Sequence, residues 1–422
     1  MENDIKSDAT LLKRGRPPAG TEALRSISAG IDPLAGFIGA HYFKEYIAIG
    51  GSKIKFVTGK PGSGKTHLLR LLSAEARDLG FITVHISAKD VWLNDFKEIY
   101  AQILSQSDLN LCLERCAALV AAELGHDYAS IPAGMKFVDY LSSIGELDAL
   151  TKKEIRNQLR NMFIQNPIID NNFAIACSLL TGCALGHPML ENSNITLLTS
   201  WMAGAKDVKL AALRGLGMSP SRITKFNARH MLRSLMETVK MAGFPGVIVM
   251  IDNMEALINA TSLDNIRYTK LRRDDVYESI RELIDDIDTL RNIMFFFAFD
   301  RILLDDEQAG LKSYQALWMR MQNEIVSSRF NKFTDFYDMD KYAESAYDRE
   351  TLIDMSARIA DFVSRAGVEA APVDGKLADE FLSNAKYTAV SLPRRIVNAT
   401  LGSGGGRREM AGFDGSEVAS DD

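Results

Sequence analysis

Long apolar runs are missing from this chain. No stretch approaches the roughly 18 to 20 residues that cross a bilayer, and the opening segment up to Pro18 lacks the hydrophobic core of a secretion signal. A membrane-spanning or exported protein is therefore not expected, and the cytoplasm is the default compartment. Cysteine is scarce as well. The four present, Cys112, Cys116, Cys177 and Cys183, lie in helix-like apolar stretches without CxxC spacing, which argues against a zinc or redox site and for buried thiols. An excess of positive charge is also lacking: a formal net charge of −6 excludes whole-surface attraction to nucleic acid but leaves room for a local basic arm. What is present is ordinary, 422 residues with 46% hydrophobic content, enough for a sizeable core and two or three structural units.

Residues 1–20 are polar and contain proline and glycine. Such a segment has little apolar surface to offset the entropy of ordering, so a flexible basic arm is expected there. From Thr21 to about Ile49 the spacing of Leu24, Ile27, Leu34, Phe37, Ile38, Tyr42 and Tyr46 suggests one or two short helices. Ile54 to Val57 reads as a strand, a glycine-rich turn follows at once, and a helix runs from His67 to about Asp78. Phe81 to Ile86 supplies a second strand, completing a strand–helix–strand unit of the parallel kind. Between about Val91 and Arg214 the periodicity is helical, which predicts an inserted helical subdomain over 91–214. A helix over about Asn227 to Ala242 leads into Gly246 to Ile251, a nearly all-apolar strand of the type buried on both faces. Another, over about Asp274 to Leu290, leads into a fourth strand, Ile293 to Phe299, and Phe333 to Tyr337 is a candidate fifth. The alternation predicts an α/β fold, a doubly wound parallel sheet flanked by helices. Its core would span 21–345, a helical lid 346–401 (helices near Arg349 to Ala366 and Ser391 to Leu401), and a disordered tail 402–422.

Gly59-Lys60-Pro61-Gly62-Ser63-Gly64-Lys65-Thr66 matches the P-loop pattern G-x-x-x-x-G-K-[ST] between a strand and a helix start. There, glycines let main-chain N–H groups curl around phosphates, the helix N-terminus adds positive potential, Lys65 reaches the β- and γ-phosphates, and Thr66 ligates magnesium. ATP and Mg2+ are the expected cofactors, and the binding set extends to His67. Asp252, at the C-terminal end of an apolar strand, is placed to complete the magnesium shell. P-loop enzymes that hydrolyse ATP usually carry a glutamate directly after this aspartate, and here the residue is Asn253, whose amide cannot accept a proton. Either Glu255 takes over, or the protein binds ATP and splits it slowly.

Asp300, just past the fourth strand, either senses the γ-phosphate or simply ends the strand. Arg320, near the end of a helix, is either an arginine finger toward a neighbouring subunit's nucleotide or a solvated surface charge. Arg394 follows Ser391-Leu392-Pro393, which reads as an N-cap with a proline in the first helical turn and would aim the arginine from the lid toward the phosphates. Lys13-Arg14-Gly15-Arg16-Pro17-Pro18 contains Arg-Gly-Arg-Pro, the core of an AT-hook, in which an extended backbone lays two arginines in a narrow minor groove. The alternative is an inert solvated tail.

Several stretches resemble one group of bacterial ATPases: Glu22-Ala23-Leu24-Arg25 with Gly30 and Pro33, the P-loop, Ala212-Leu213-Arg214-Gly215, and Met241 to Gly246 before Asp252. Ser313-Tyr314-Gln315-Ala316-Leu317 before Arg320 and the Leu392-Pro393-Arg394 corner extend the likeness from about Thr21 to Leu401. The chain is similar to the ATP-binding proteins of the BREX phage-defence systems, relatives of AAA+ initiator-type ATPases. That resemblance implies an AAA+ (ASCE-like) core with a helical lid, ATP use, and work in a homo-oligomer or hetero-complex beside DNA-acting partners such as a helicase or methyltransferase. The chain departs from the family pattern at Asp252-Asn253, where Asp-Glu is expected. Two functions follow: an ATPase coupling nucleotide state to DNA or partner engagement, or a nucleotide-gated scaffold with little hydrolysis. A small-molecule kinase would need an acceptor pocket that the sequence does not suggest.

Overall fold

The computed structural model describes residues 2–259, 265–325 and 329–402. Helices α1 (Glu2–Lys13), α2 (Thr21–Ile27) and α3 (Asp32–Phe37) are followed by a π-helical segment, Ile38–Ile47, and strand β1 (Ser52–Gly59). Helix α4 (Lys65–Asp78) and β2 (Ile82–Ser87) come next. A helical stretch then holds α5 (Phe96–Gln106), α6 (Leu109–Glu123), α7 (Phe137–Ser143), α8 (Ala149–Leu159), α9 (Asn171–Leu185), α10 (Asn192–Met202) and α11 (Leu210–Arg214). Helix α12 (Ala228–Met241) leads into β3 (Val247–Asp252), and α13 (Lys270–Asp286) into β4 (Ile293–Asp300). Helices α14 (Ile302–Asp305) and α15 (Gln315–Ile325) precede the short β5 (Phe336–Asp338). Four more helices follow: α16 (Met339–Ala346), α17 (Arg349–Ser364), α18 (Gly375–Ser383) and α19 (Leu392–Gly402).

These elements form two compact units. The larger gathers Pro33–Gly59 and Leu68–Met339; the smaller, among the described residues, draws on the segment up to Asp32, on Lys60–His67, and on the chain from Asp340 onward. In the larger unit the sheet order is β2-β3-β4-β1-β5, with every pair parallel. Val247 to Ile251 and Ile293 to Phe299 are buried throughout, because a central parallel strand is covered on both faces and has no wet side toward which to alternate. Gly59 pairs with Asp300, and Ser87 with Asp252. The C-terminal ends of the strands therefore line one edge, which is where open parallel sheets bind ligands. The stretch 91–214 is indeed helical, and Cys112, Cys116 and Cys177 join the apolar core. All four cysteines are free and buried. Burial pushes the Cys112 thiol up to about 11 and that of Cys116 to about 12, so neither is a nucleophile at neutral pH. β5 is shorter and later than the candidate fifth strand, since Thr334 lies before it, its carbonyl accepting from Lys55 Nζ at 2.5 Å.

In the smaller unit α1, α2 and α19 pack on α17, and α1 also meets α19. This overturns the expectation of a flexible arm over 1–20. Ile5, Asp8, Ala9 and Leu12 fall at i, i+3, i+4 and i+7, one face of a helix. Ala9 and Leu12 are buried, and the buried Asp8 carboxylate accepts from the N–H groups of Ala19 (2.7 Å) and Gly20 (3.3 Å). A stripe so narrow hardly registers in bulk composition. The extended arginine arm is not formed either. Gly15, with φ +75°, ends α1, and the N–H groups of Gly15 and Arg16 return to the carbonyls of Leu12 and Leu11 at 2.9 Å each, as in a helix C-cap. Arg14 and Arg16 are exposed on that cap. The expected tail beyond Gly402 lies outside the described residues. Among those described, no helix is long and apolar enough to cross a membrane.

Candidate functional site

The glycine-rich loop leaves β1 at Gly59 and enters α4 at Lys65. Gly62 and Gly64 have φ of +77° and +93°, a region costly for other residues. Ser63 N–H donates to the Lys60 carbonyl at 3.1 Å, which curls the loop. The buried Lys65 ammonium turns back into it, donating to Lys60 O at 3.0 Å and reaching Ser63 Oγ at 3.4 Å. A carbonyl and a hydroxyl are weaker partners for a cation than phosphate oxygens. The loop thus fits a triphosphate, with positive-φ glycines, a buried ammonium and a helix N-terminus in one short segment. Its first residue is pinned twice: Lys60 N–H donates to Asp340 Oδ2 at 2.9 Å, and Lys60 Nζ to Thr388 O at 2.6 Å. Sequence reasoning missed Asp340, which no local pattern links to a loop 280 residues away.

Arg394 lies along this loop. A Cβ on Gly62 would stand 2.7 Å from the Arg394 Cβ and 3.0 Å from its Cγ. The guanidinium is turned to the α1 cap, where a Cβ on Gly15 would come within 2.6 Å of Arg394 Cζ and where Nη1 lies 3.5 Å from Leu12 O. Pro393 occupies the first turn of α19 as expected, but Ser391 does not act as a side-chain cap: its buried Oγ has no hydrogen-bond partner. His67 Nε2 is 2.8 Å from Ser28 Oγ, and because that hydroxyl donates to Leu24 O at 2.9 Å, the histidine nitrogen is the donor.

The larger unit carries a second group of polar residues on the sheet edge. Asp252 ends β3, and its Oδ1 accepts the Asn253 N–H at 2.8 Å. Asn253 sits in the left-handed region (φ 61°, ψ 33°), and its Oδ1 accepts from Lys89 Nζ at 3.0 Å. Lys89 also approaches Glu255 Oε1 at 3.6 Å. Glu255 Oε2 accepts the Asp300 N–H at 3.3 Å, so this carboxylate bridges the ends of β3 and β4. Burial, and next the Asp300 charge, raise its pKa against the opposing pull of Lys89. A carboxylate so placed is suited to accept a proton. Lys89 was missed by sequence reasoning, although a lysine two residues past a parallel strand was the available signal. Arg301 was missed too: its N–H donates to Gly59 O at 3.0 Å and its Nη2 meets Asp338 at 3.1 Å, joining the ends of β1, β4 and β5.

Arg320 is engaged within its own chain, its Nε and Nη2 forked onto Asp285 of α13 at 2.6 and 2.7 Å, with Nη1 on Ala316 O. Asp252, Asn253, Glu255 and Asp300 therefore meet at one edge, while Lys60 to Lys65 and Arg394 meet in the loop. Among the described residues, no group of three or more His, Cys, Asp or Glu side chains could hold a metal ion.

A parallel α/β sheet with a strand–phosphate loop–helix unit is consistent with a nucleotide-binding protein of the P-loop class. The chain belongs to the family described as BREX system ATP-binding protein BrxC/D, whose model matches residues 11–397. Membership carries ATP binding and the BREX defence system with it. No curated protein matches the chain.

Proposed function

We propose that this protein is a BREX ATPase of the AAA+ type that couples nucleotide state to the engagement of DNA and of partner proteins. The observation that carries the hydrolytic part is Glu255, a half-buried carboxylate with a raised pKa on the Asp300 N–H at the sheet edge. In this reading it replaces the missing glutamate at position 253 as the group that takes the proton from an attacking water. Lys65 and the main-chain N–H groups from Gly59 to Thr66 would hold the phosphates, and Thr66 and Asp252 would be the residues to hold Mg2+, whose contribution would be to neutralise phosphate charge. Asp300 reports the γ-phosphate, and Arg394, already lying along Gly62, is the arginine best placed to respond to it.

The sheet order, with a strand inserted between the loop strand and the Asp252 strand, supports the AAA+ (ASCE-like) assignment. Residues 91–214 are read as an insertion and 346–401 as a lid. Assembly as a homo-oligomer or with other BREX proteins would offer Arg320 to a neighbouring subunit only after its fork on Asp285 opens.

A second reading, a scaffold that binds ATP with little turnover, is favoured by Asn253, whose amide is held by Lys89. Turnover of the wild type, Glu255→Gln and Asn253→Glu proteins, with and without duplex DNA, separates the two. Slow wild-type turnover that Glu255→Gln leaves unchanged and Asn253→Glu raises sharply would replace the ATPase reading by the scaffold.

A further inference from the structure

The helical stretch contains a basic cavity that the nucleotide chemistry does not use. It measures about 290 Å³ and lies where the N-terminus of α5 meets the segments after α10 and before α12. Lys97, Lys206, Arg222 and Lys225 line it, and among the described residues Asp95 is the one acid in the lining. Two features show a built site rather than a chance cluster of lysines. Lys97 is buried, its stem running over Gly204, where a Cβ would stand 3.4 Å from Lys97 Cγ. The rim segment is fixed by its own bonds: Trp201 Nε1 donates to Ser221 O at 2.9 Å, Thr224 N–H to Asn227 Oδ1 at 2.7 Å, Asn227 Nδ2 to Arg222 O at 3.1 Å, and Arg222 Nη1 to Lys206 O.

The acids near these cations differ in what they hold. Asp95 caps α5 by accepting the Lys97 N–H at 3.0 Å, whereas Glu98 pairs with Lys97 Nζ at 3.1 Å and offsets that cation, so the positive charge of the cavity comes mainly from Lys206, Arg222 and Lys225. From Lys206 to Lys225 the chain holds five basic residues (206, 209, 214, 222, 225) and one acidic residue (207), against a net charge of −6 for the whole. Concentrated positive charge in an acidic chain favours a polyanion. Directly beside it stands Phe226, 87% exposed, its ring 5.5 Å from Lys225 Nζ. A lone exposed phenyl next to a cationic cavity matches the pairing of backbone electrostatics with an aromatic stacking platform that holds unpaired bases.

We infer that this surface binds single-stranded nucleic acid, the cavity taking backbone phosphate and Phe226 stacking a base. The inference rests on the DNA-engagement half of the proposed function and not on hydrolysis. Its test is fluorescence anisotropy of the full-length, nucleotide-free protein with labelled oligothymidylate of about 20 nucleotides, and with duplex of equal length, over a salt series. The single strand is expected to bind more tightly than the duplex. Arg222→Ala/Lys225→Ala should weaken it about tenfold or more and reduce the log–log salt slope by about 1.4, the loss of two phosphate contacts. Phe226→Ala should weaken the single strand about tenfold, leave the slope unchanged and spare the duplex. If the wild type binds nucleic acid but the double variant keeps both affinity and slope, this surface is not the site, though DNA engagement stands. Loss by the double variant on strand and duplex alike, with Phe226→Ala silent, overturns the single-strand assignment. A wild type that binds neither overturns the DNA half of the proposed function as well.

Discussion

Lys55 and Lys65 are both buried lysines, one in the interior of the sheet and one where the chain leaves it, and their surroundings give them opposite roles. Lys55, in mid-strand on β1, is fully enclosed: its ammonium lies 4.1 Å from the Tyr42 ring centre and 4.6 Å from that of Tyr337, donates to Tyr42 Oη and Thr334 O, and stands 3.6 Å from Asp335. Burial lowers its pKa to about 8, the Asp335 charge opposing. Two rings, a carbonyl and the Asp335 carboxylate close around it, and the ammonium is wholly buried. Lys65 instead bonds a carbonyl and a hydroxyl of a curled loop, partners that phosphate oxygens can replace. The interior turns polar groups into structure, whereas the C-terminal edge leaves them available for chemistry.

The largest test of that contrast is Lys65→Ala, expected to weaken ATP binding by about 100-fold or more while moving the thermal midpoint little, measured by calorimetry and melting. Retained affinity would break the comparison at its functional end. Next comes Glu255→Gln, for which steady-state turnover should fall by about 100-fold or more at unchanged ATP affinity. Because the Glu255 pKa is raised and the base must be ionised to act, wild-type turnover should fall on the acid side at a pH above the ordinary carboxylate range, and a turnover profile flat down to that range would remove Glu255 from the role.

Lys55→Met tests the interior. The fold lowers this pKa from 10.5 to about 8, so between those values the unfolded chain binds more protons than the folded one and stability rises with pH. The rise should be on the order of 3 kcal/mol at most, and denaturation midpoints of Lys55→Met should lack it while ATP binding changes little. The smallest effect is expected from Arg320→Ala. Its exposed fork on Asp285 is screened by solvent and should contribute little to stability, and single-chain ATP affinity should not change. A large loss of turnover appearing only in the assembled protein would instead place Arg320 at a neighbouring nucleotide.

Much of the sheet could be read from local pattern. The nearly all-apolar runs 246–251 and 293–299 predicted β3 and β4 because central parallel strands need no alternation, and G-x-x-x-x-G-K-T marked the loop because the turn demands those glycines. Periodicity failed where the apolar stripe was thin, as in α1, whose order depends on Ala9, Leu12 and the Asp8 carboxylate rather than on composition. At the strand ends, sequence left Asn253 and Glu255 as rivals. Which of them faces a cation and which the Asp300 N–H is a matter of backbone turn, set by the left-handed conformation at Asn253.

The sequence by itself determined the strand–loop–helix unit, the helical stretch and the membership in a BREX ATP-binding family, since each is written in residues close together along the chain. Only the tertiary structure decided that Asp340 pins the loop, that Lys89 holds Asn253, that Arg394 lies along Gly62 and that Arg320 is tied to Asp285. The reason is physical: hydrogen bonds and ion pairs reach about 3 to 4 Å in space whatever the separation in sequence, and no local pattern records which distant side chain will fill that distance.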